Sequence, residues 1–147
     1  MKKLLFPAVS AIIILSSCSN DDKETPPTVV GTWNQTKTMH VSGKDNSVLD
    51  SEPFNACESK SNFVFTTDNK LTYNKYYLSG NNCILENGQT ITYSYDSNTK
   101  VLIVYNEHTT ETYTLNLLTD NEMQIIESSY DYNDDGVDDK FIIVLNK

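Results

Sequence analysis

Five aspartates crowd into nine residues near the end of the chain, in Asp131-Tyr132-Asn133-Asp134-Asp135-Gly136-Val137-Asp138-Asp139. Oxygen-bearing side chains take positions 1, 3, 5 and 9 of this run, with glycine at position 6. Calcium is held by about six to eight oxygens at roughly 2.3–2.6 Å, and ligands at alternate positions let a tight loop wrap the ion from one side. Asp131, Asn133 and Asp135 would coordinate directly, Val137 would offer its backbone carbonyl, and Asp139 a carboxylate or a bridging water. Gly136 would permit the sharp turn. The alternative is a solvated acidic turn, since Asp-Gly is good hairpin chemistry in its own right. Five close carboxylates repel one another, however, and that cost favours a bound cation. The expected ion is a weakly held, structural calcium that orders the last hairpin.

The run resembles the opening of the EF-hand loop and the Asp-x-Asp-x-Asp-Gly-x-x-Asp loops of β-propellers. The bidentate glutamate of an EF-hand would fall at residue 142, which is Ile142. The EF-hand is thereby excluded; the shorter, hairpin-borne loop does not need that residue.

Other chemistry is sparse. Nine tyrosines are many for this length. Tyr73, Tyr77, Tyr93, Tyr95 and Tyr113 are candidates to line a cavity, with apolar rings as walls and hydroxyls to orient a ligand. The same aromatics would equally fill a small barrel. His40 and His108 stand alone, and Glu107 and Glu111 around His108 read as a solvated strand face. No Gly-x-Ser-x-Gly, His-Glu-x-x-His or phosphate-cradling glycine loop occurs. No catalytic residue is assigned, and enzymatic activity is not expected.

The N-terminus sets the compartment. Met1-Lys2-Lys3 is a short basic segment, and Leu4 to Leu15 is apolar apart from Pro7 and Ser10. That run is too short for the ~20 residues of a membrane span, so it reads as a signal peptide. Leu15-Ser16-Ser17-Cys18 resembles the lipobox of bacterial lipoprotein precursors. The resemblance implies cleavage after residue 17, a diacylglycerol thioether on the Cys18 sulfur and a palmitate-type acyl chain on the new amino terminus. Such chains contribute about 0.8 kcal/mol per buried methylene and together anchor a domain stably. Ser19 to Thr28, polar, acidic and carrying Pro26-Pro27, reads as a tether over 18–28. The absence of Asp after Cys18 and the acidic cluster beyond it resemble the sorting signals of outer-membrane and surface-exposed lipoproteins.

The chain carries 11 Lys+Arg against 20 Asp+Glu, a net charge of −9. Loss of Lys2 and Lys3 with the signal takes −9 to −11. Nucleic acid is excluded as a partner, anionic lipid would repel the domain, and the membrane is engaged only through acyl chains. A monomer is expected. Two cysteines remain after Cys18. In an exported protein Cys57 and Cys83 are most simply a disulfide; a metal pair or a reactive thiol has no supporting neighbour.

From Val29 onward the apolar period is two. Phe63 and Phe65, then Leu71, Tyr73 and Tyr77, then Ile91, Tyr93 and Tyr95, then Tyr113, Leu115 and Leu117 mark the repeat. Turn chemistry separates these runs: Thr67-Asp68-Asn69, Ser79-Gly80-Asn81-Asn82, Asn87-Gly88, Asp96-Ser97-Asn98, Thr119-Asp120-Asn121 and Asp134-Asp135-Gly136. Eight strands are predicted, over 30–41, 61–66, 70–77, 89–95, 100–105, 110–118, 122–130 and 139–146, with 42–60 a long polar loop. Short connections favour antiparallel neighbours, and eight strands close a small up-and-down barrel. A two-sheet sandwich has the same alternation.

Val30-Gly31-Thr32-Trp33 resembles the Gly-x-Trp opening of lipocalin-like barrels. Cys57 to Phe65, the Asp68-Asn69-Lys70-Leu71-Thr72 turn, the return to Cys83 and Tyr93-Ser94-Tyr95-Asp96 resemble, in order and spacing, lipocalin-like lipoproteins of the Bacteroidetes. The resemblance covers 29–147 and implies an all-β eight-stranded barrel in which Trp33 plugs one end. The function expected from it is non-catalytic binding of a small apolar or amphipathic ligand. The alternatives are a side-chain-filled structural or interaction lipoprotein engaging an envelope or host protein, and an inhibitor or stress-protective protein acting through its loops.

Overall fold

The computed structural model describes residues 26–147. The signal peptide, Cys18 and most of the tether lie outside the described residues. Nine strands succeed one another: β1 (Gly31–Val41), β2 (Val48–Pro53), β3 (Asn62–Phe65), β4 (Lys70–Ser79), β5 (Asn82–Asp96), β6 (Val101–Tyr105), β7 (Thr110–Leu118), β8 (Glu122–Tyr130) and β9 (Asp139–Asn146). Every pairing is antiparallel, and from β3 to β9 each strand pairs with the next. β1 takes β3 along Gly31–Asn34 and β9 along Asn34–Val41. That double pairing closes eight strands into the expected barrel, and closure removes the exposed edges of an open sheet.

The ninth strand is a correction. Within the predicted loop 42–60, β2 pairs with Lys37–Val41 along the part of β1 that β3 leaves free. Val48-Leu49-Asp50-Ser51-Glu52-Pro53 is exposed on both faces, so no alternation marks it as a strand. Pro53 is tolerated there because β2 is an edge strand. A short 3-10 turn, Glu58–Lys60, leads from it into β3.

A second correction concerns Asn87-Gly88, which is no hairpin turn but lies within β5. The register slips there, from Tyr73 opposite Gln89 to Lys75 opposite Glu86. A Cβ on Gly88 would sit 2.7 Å from Asn74 Oδ1 and 2.9 Å from the Tyr73 carbonyl, so the bulge needs glycine for close approach. The true turn is at Gly80-Asn81, and β4 and β5 run on past the bulge as a long hairpin.

Period two places Trp33, Phe65, Leu71, Tyr93, Leu102, Leu115, Met123 and Leu145 in one core near the end where β1 begins. Trp33 is fully buried there, its indole N–H donating to the Val29 carbonyl at 2.7 Å. β1 is then bulged between Gln35 and Lys37. One extra residue flips every later side chain to the other face. Met39 and Val41 therefore leave the barrel interior and pack with Ile142, Val144 and Ile126 as a second, smaller cluster. Cys57 and Cys83 form a disulfide that ties the segment before β3 to the start of β5.

Candidate ligand-binding site

Above the Trp33 layer the barrel is not filled. A cavity of about 320 Å³ remains between the walls, on the side away from the indole. β3 and β4 contribute Phe63 and Tyr73, whose rings stack at 4.4 Å between centroids. Leu71, Ile91, Leu102, Val104, Ile125 and Ile143 extend the apolar wall. These positions alternate with outward-facing residues, which is how a strand lines a lumen with every second side chain.

Polar groups gather at one end of this space. Gln35, Tyr73, Glu111, Tyr113 and Glu127 all border it. Gln35 is only 7% exposed, a polar side chain taken into the interior. Tyr113 donates from its hydroxyl to Glu111 Oε2 at 2.5 Å. Burial pushes the Tyr113 phenol far above its ordinary range, and the Glu111 hydrogen bond and the charges of Glu111 and Glu127 push the same way. Burial also raises Tyr73, opposed by the Gln35 amide beside it. Both hydroxyls therefore keep their protons and stand as donors at neutral pH. Lys75, the cation nearest in register to Tyr73, is spent on Glu86 at 3.4 Å.

Of the five tyrosines singled out in the sequence, Tyr73 and Tyr113 border the cavity and three do not. Tyr93 is buried in the layer below, edge-on to Phe65, with its hydroxyl on the Thr66 carbonyl at 2.9 Å. Tyr95 packs against that same core. Tyr77 lies beyond the bulge of β4, 41% exposed on the projecting hairpin. Alternation places these residues on a face; height along the barrel decides which of them meet the space. Gln35, Glu111 and Glu127 are site residues that the sequence reading misses. Glu111 is exposed, as the solvated strand face expected of it, but it lies two residues from Tyr113 and shares its face, which the sequence reading did not use. Glu127 follows Met123 and Ile125 at period two and shares their inward face, so alternation along β8 was the signal that could have found it.

A closed eight-stranded barrel with a tryptophan plug at one end and an apolar cavity above it invites comparison with known families. The family model described as a lipocalin-like domain matches residues 29–125. The chain belongs to the lipocalin-like domain family. Among curated proteins, none matches it. The family match ends inside β8, and in this lipocalin-like domain β9 supplies the remaining wall and the closure onto β1.

The acidic loop of this lipocalin-like domain lies between β8 and β9. Asp131 accepts N–H groups from Asp135 at 3.0 Å and Gly136 at 2.8 Å; Asn133 Oδ1 accepts the Asp135 N–H and Asp135 Oδ1 that of Val137. The alternate side chains named from the sequence thus turn into the loop. Asp139 holds the loop from its base. It is 1% exposed, and its two oxygens accept the backbone N–H groups of Gly43 and Tyr132, each at 3.0 Å. It clamps the loop to the β1–β2 connection. Among the described residues no set of three or more His, Cys, Asp or Glu side chains converges as a metal cluster.

Proposed function

We propose that this lipocalin-like domain binds a small apolar or amphipathic molecule in the barrel cavity, with no chemistry of its own. It acts as a monomer held at the outer membrane, outward-facing, by acyl chains on Cys18. The observation that carries the binding role is the cavity itself: about 320 Å³ with apolar walls and polar groups at one end. Small-molecule sites have that composition and start at about 300 Å³. The lipobox and the acidic tether support the anchor.

The test is native mass spectrometry on residues 26–147, which close on themselves through β1 and β9 around their own core, after exposure to a whole-cell lipid and metabolite extract. A retained organic mass, lost when Leu102→Trp fills the cavity, is the expected result. A spectrum of bare protein overturns the binding role. It would favour an interaction protein instead, a reading drawn from the exposed Leu78, Ile84 and Leu85 on the β4–β5 hairpin.

We also propose that calcium orders the β8–β9 loop through Asp131, Asn133, Asp135, the Val137 carbonyl and, directly or through a water, Asp139. Each side-chain oxygen there keeps a lone pair beyond the one its amide takes. Millimolar calcium is expected to raise the melting temperature, and Asp135→Ala to abolish the rise; a melt indifferent to calcium ends this idea.

A further inference from the structure

The cavity's polar end is not neutral. Glu111 and Glu127 both border it, and among the described residues neither forms an ion pair. Glu111 Oε2 takes the Tyr113 hydroxyl, leaving Oε1 free; Glu127 makes no hydrogen bond among the described residues. Lys75, two residues from Tyr73 on β4, is paired with Glu86. Two uncompensated carboxylates thus stand over an apolar space of about 320 Å³. The stacked rings of Phe63 and Tyr73 border the same space, and aromatic faces attract cations. Gln35, nine-tenths buried, adds a further polar group to the lining.

From this juxtaposition we infer that the ligand is a cationic amphiphile, an ammonium head on a short apolar chain. The head lies between Glu111 and Glu127 and the chain runs down toward Leu102, Ile125 and Ile143. The inference rests on the binding role proposed above and adds the sign of the head group. An anionic amphiphile such as a fatty acid would bring its carboxylate against two others, with no cation to offset them. A neutral chain would gain only the wall. The net charge of −9 acts in the same direction at longer range.

Three ligands with one tail test this by isothermal titration calorimetry on residues 26–147 at pH 7: n-octylamine, protonated there, octan-1-ol, and octanoate. The amine is expected to bind about tenfold tighter than the alcohol, as one charge-assisted contact allows, and octanoate more weakly than either. Raising salt from low to about 1 M should erode the amine's advantage, since screening shortens the reach of exposed charges. In the Glu111→Gln/Glu127→Gln variant the amine-to-alcohol ratio should fall to within about twofold. Both side chains are exposed, so the variant keeps the fold, which circular dichroism checks. An amine that binds no tighter than the alcohol, or a preference that survives the double substitution, overturns the cationic head while the cavity role stands. If none of the three binds, the cavity role falls and the head-group inference with it.

Discussion

Single residues carry most of what is specific to this barrel. Asp139 is the clearest case: a buried carboxylate whose two oxygens satisfy two backbone N–H groups from separate loops. Truncating it orphans both donors, each costing about 1–3 kcal/mol when buried. Asp139→Ala should therefore lower the unfolding free energy by about 2–4 kcal/mol in urea titration. Asp138→Ala, next to it but exposed, should change it by less than about 0.5 kcal/mol. Gly43, on the other side of that clamp, is equally constrained, because a Cβ there would meet the Asp138 carbonyl oxygen. Tyr113 gives a second readout. Its phenol is driven far above the ordinary 10.0 by burial and by Glu111. Ultraviolet titration should show one tyrosine resisting ionisation longer than the rest, and Tyr113→Phe should delete that component. If the last phenol to ionise survives the substitution, the mouth is more hydrated than its geometry says.

At the scale of elements, register slips do the shaping. The bulges in β1, β4–β5, β7–β8 and β8–β9 each insert residues that re-aim the side chains beyond them. The slip in β1 sends Met39 and Val41 to the opposite face. The projecting β4–β5 hairpin is held near β1 by the disulfide and by Ser61, whose hydroxyl accepts the Tyr76 N–H at 2.8 Å. A crosslink spanning 26 positions is worth about 3.5 kcal/mol by the chain-entropy model. Replacing both Cys57 and Cys83 with alanine should lower the denaturation midpoint correspondingly and leave the far-ultraviolet circular dichroism unchanged, since closure depends on β1 and β9. Loss of the strand signal would show instead that the bridge is needed to form the barrel.

For the molecule as a whole, turn carboxylates and buried phenols bound the pH range of stability. Asp45 is held below its ordinary 3.8 by Ser47, Asp68 by the Thr66 hydroxyl and Asp96 by the Asn98 N–H. A carboxyl with a depressed folded pKa adds stability above its unfolded value and loses it as pH falls through the folded one. Tyr73, Tyr93, Tyr95 and Tyr113 are raised above 10.0, chiefly by burial. Their contribution is complete below pH 10 and is lost as pH rises toward the folded values. The melting temperature should therefore stay level between about pH 5 and 9 and fall on both sides. Replacing the three aspartates with asparagine should flatten the acid limb. A limb that remains steep would place the acid-labile groups elsewhere.

Strand class, the Trp33 plug, the cysteine pair and seven of the eight barrel strands, to within a residue or two, were legible in the sequence. Period-two alternation and turn residues act locally, and each strand inherits its inner face from them. β2 was not legible because both its faces are wet, nor was the run of β5 through Asn87-Gly88, because a bulge and a turn use the same glycine chemistry. The cavity was legible only as a pair of alternatives. Which inward residues meet empty space depends on their height along the barrel, and that is set by shear and bulges summed over all eight strands. Tyr93 and Tyr113 are both aromatic and both inward, yet closure put one in the core and the other at the cavity's mouth beside two glutamates.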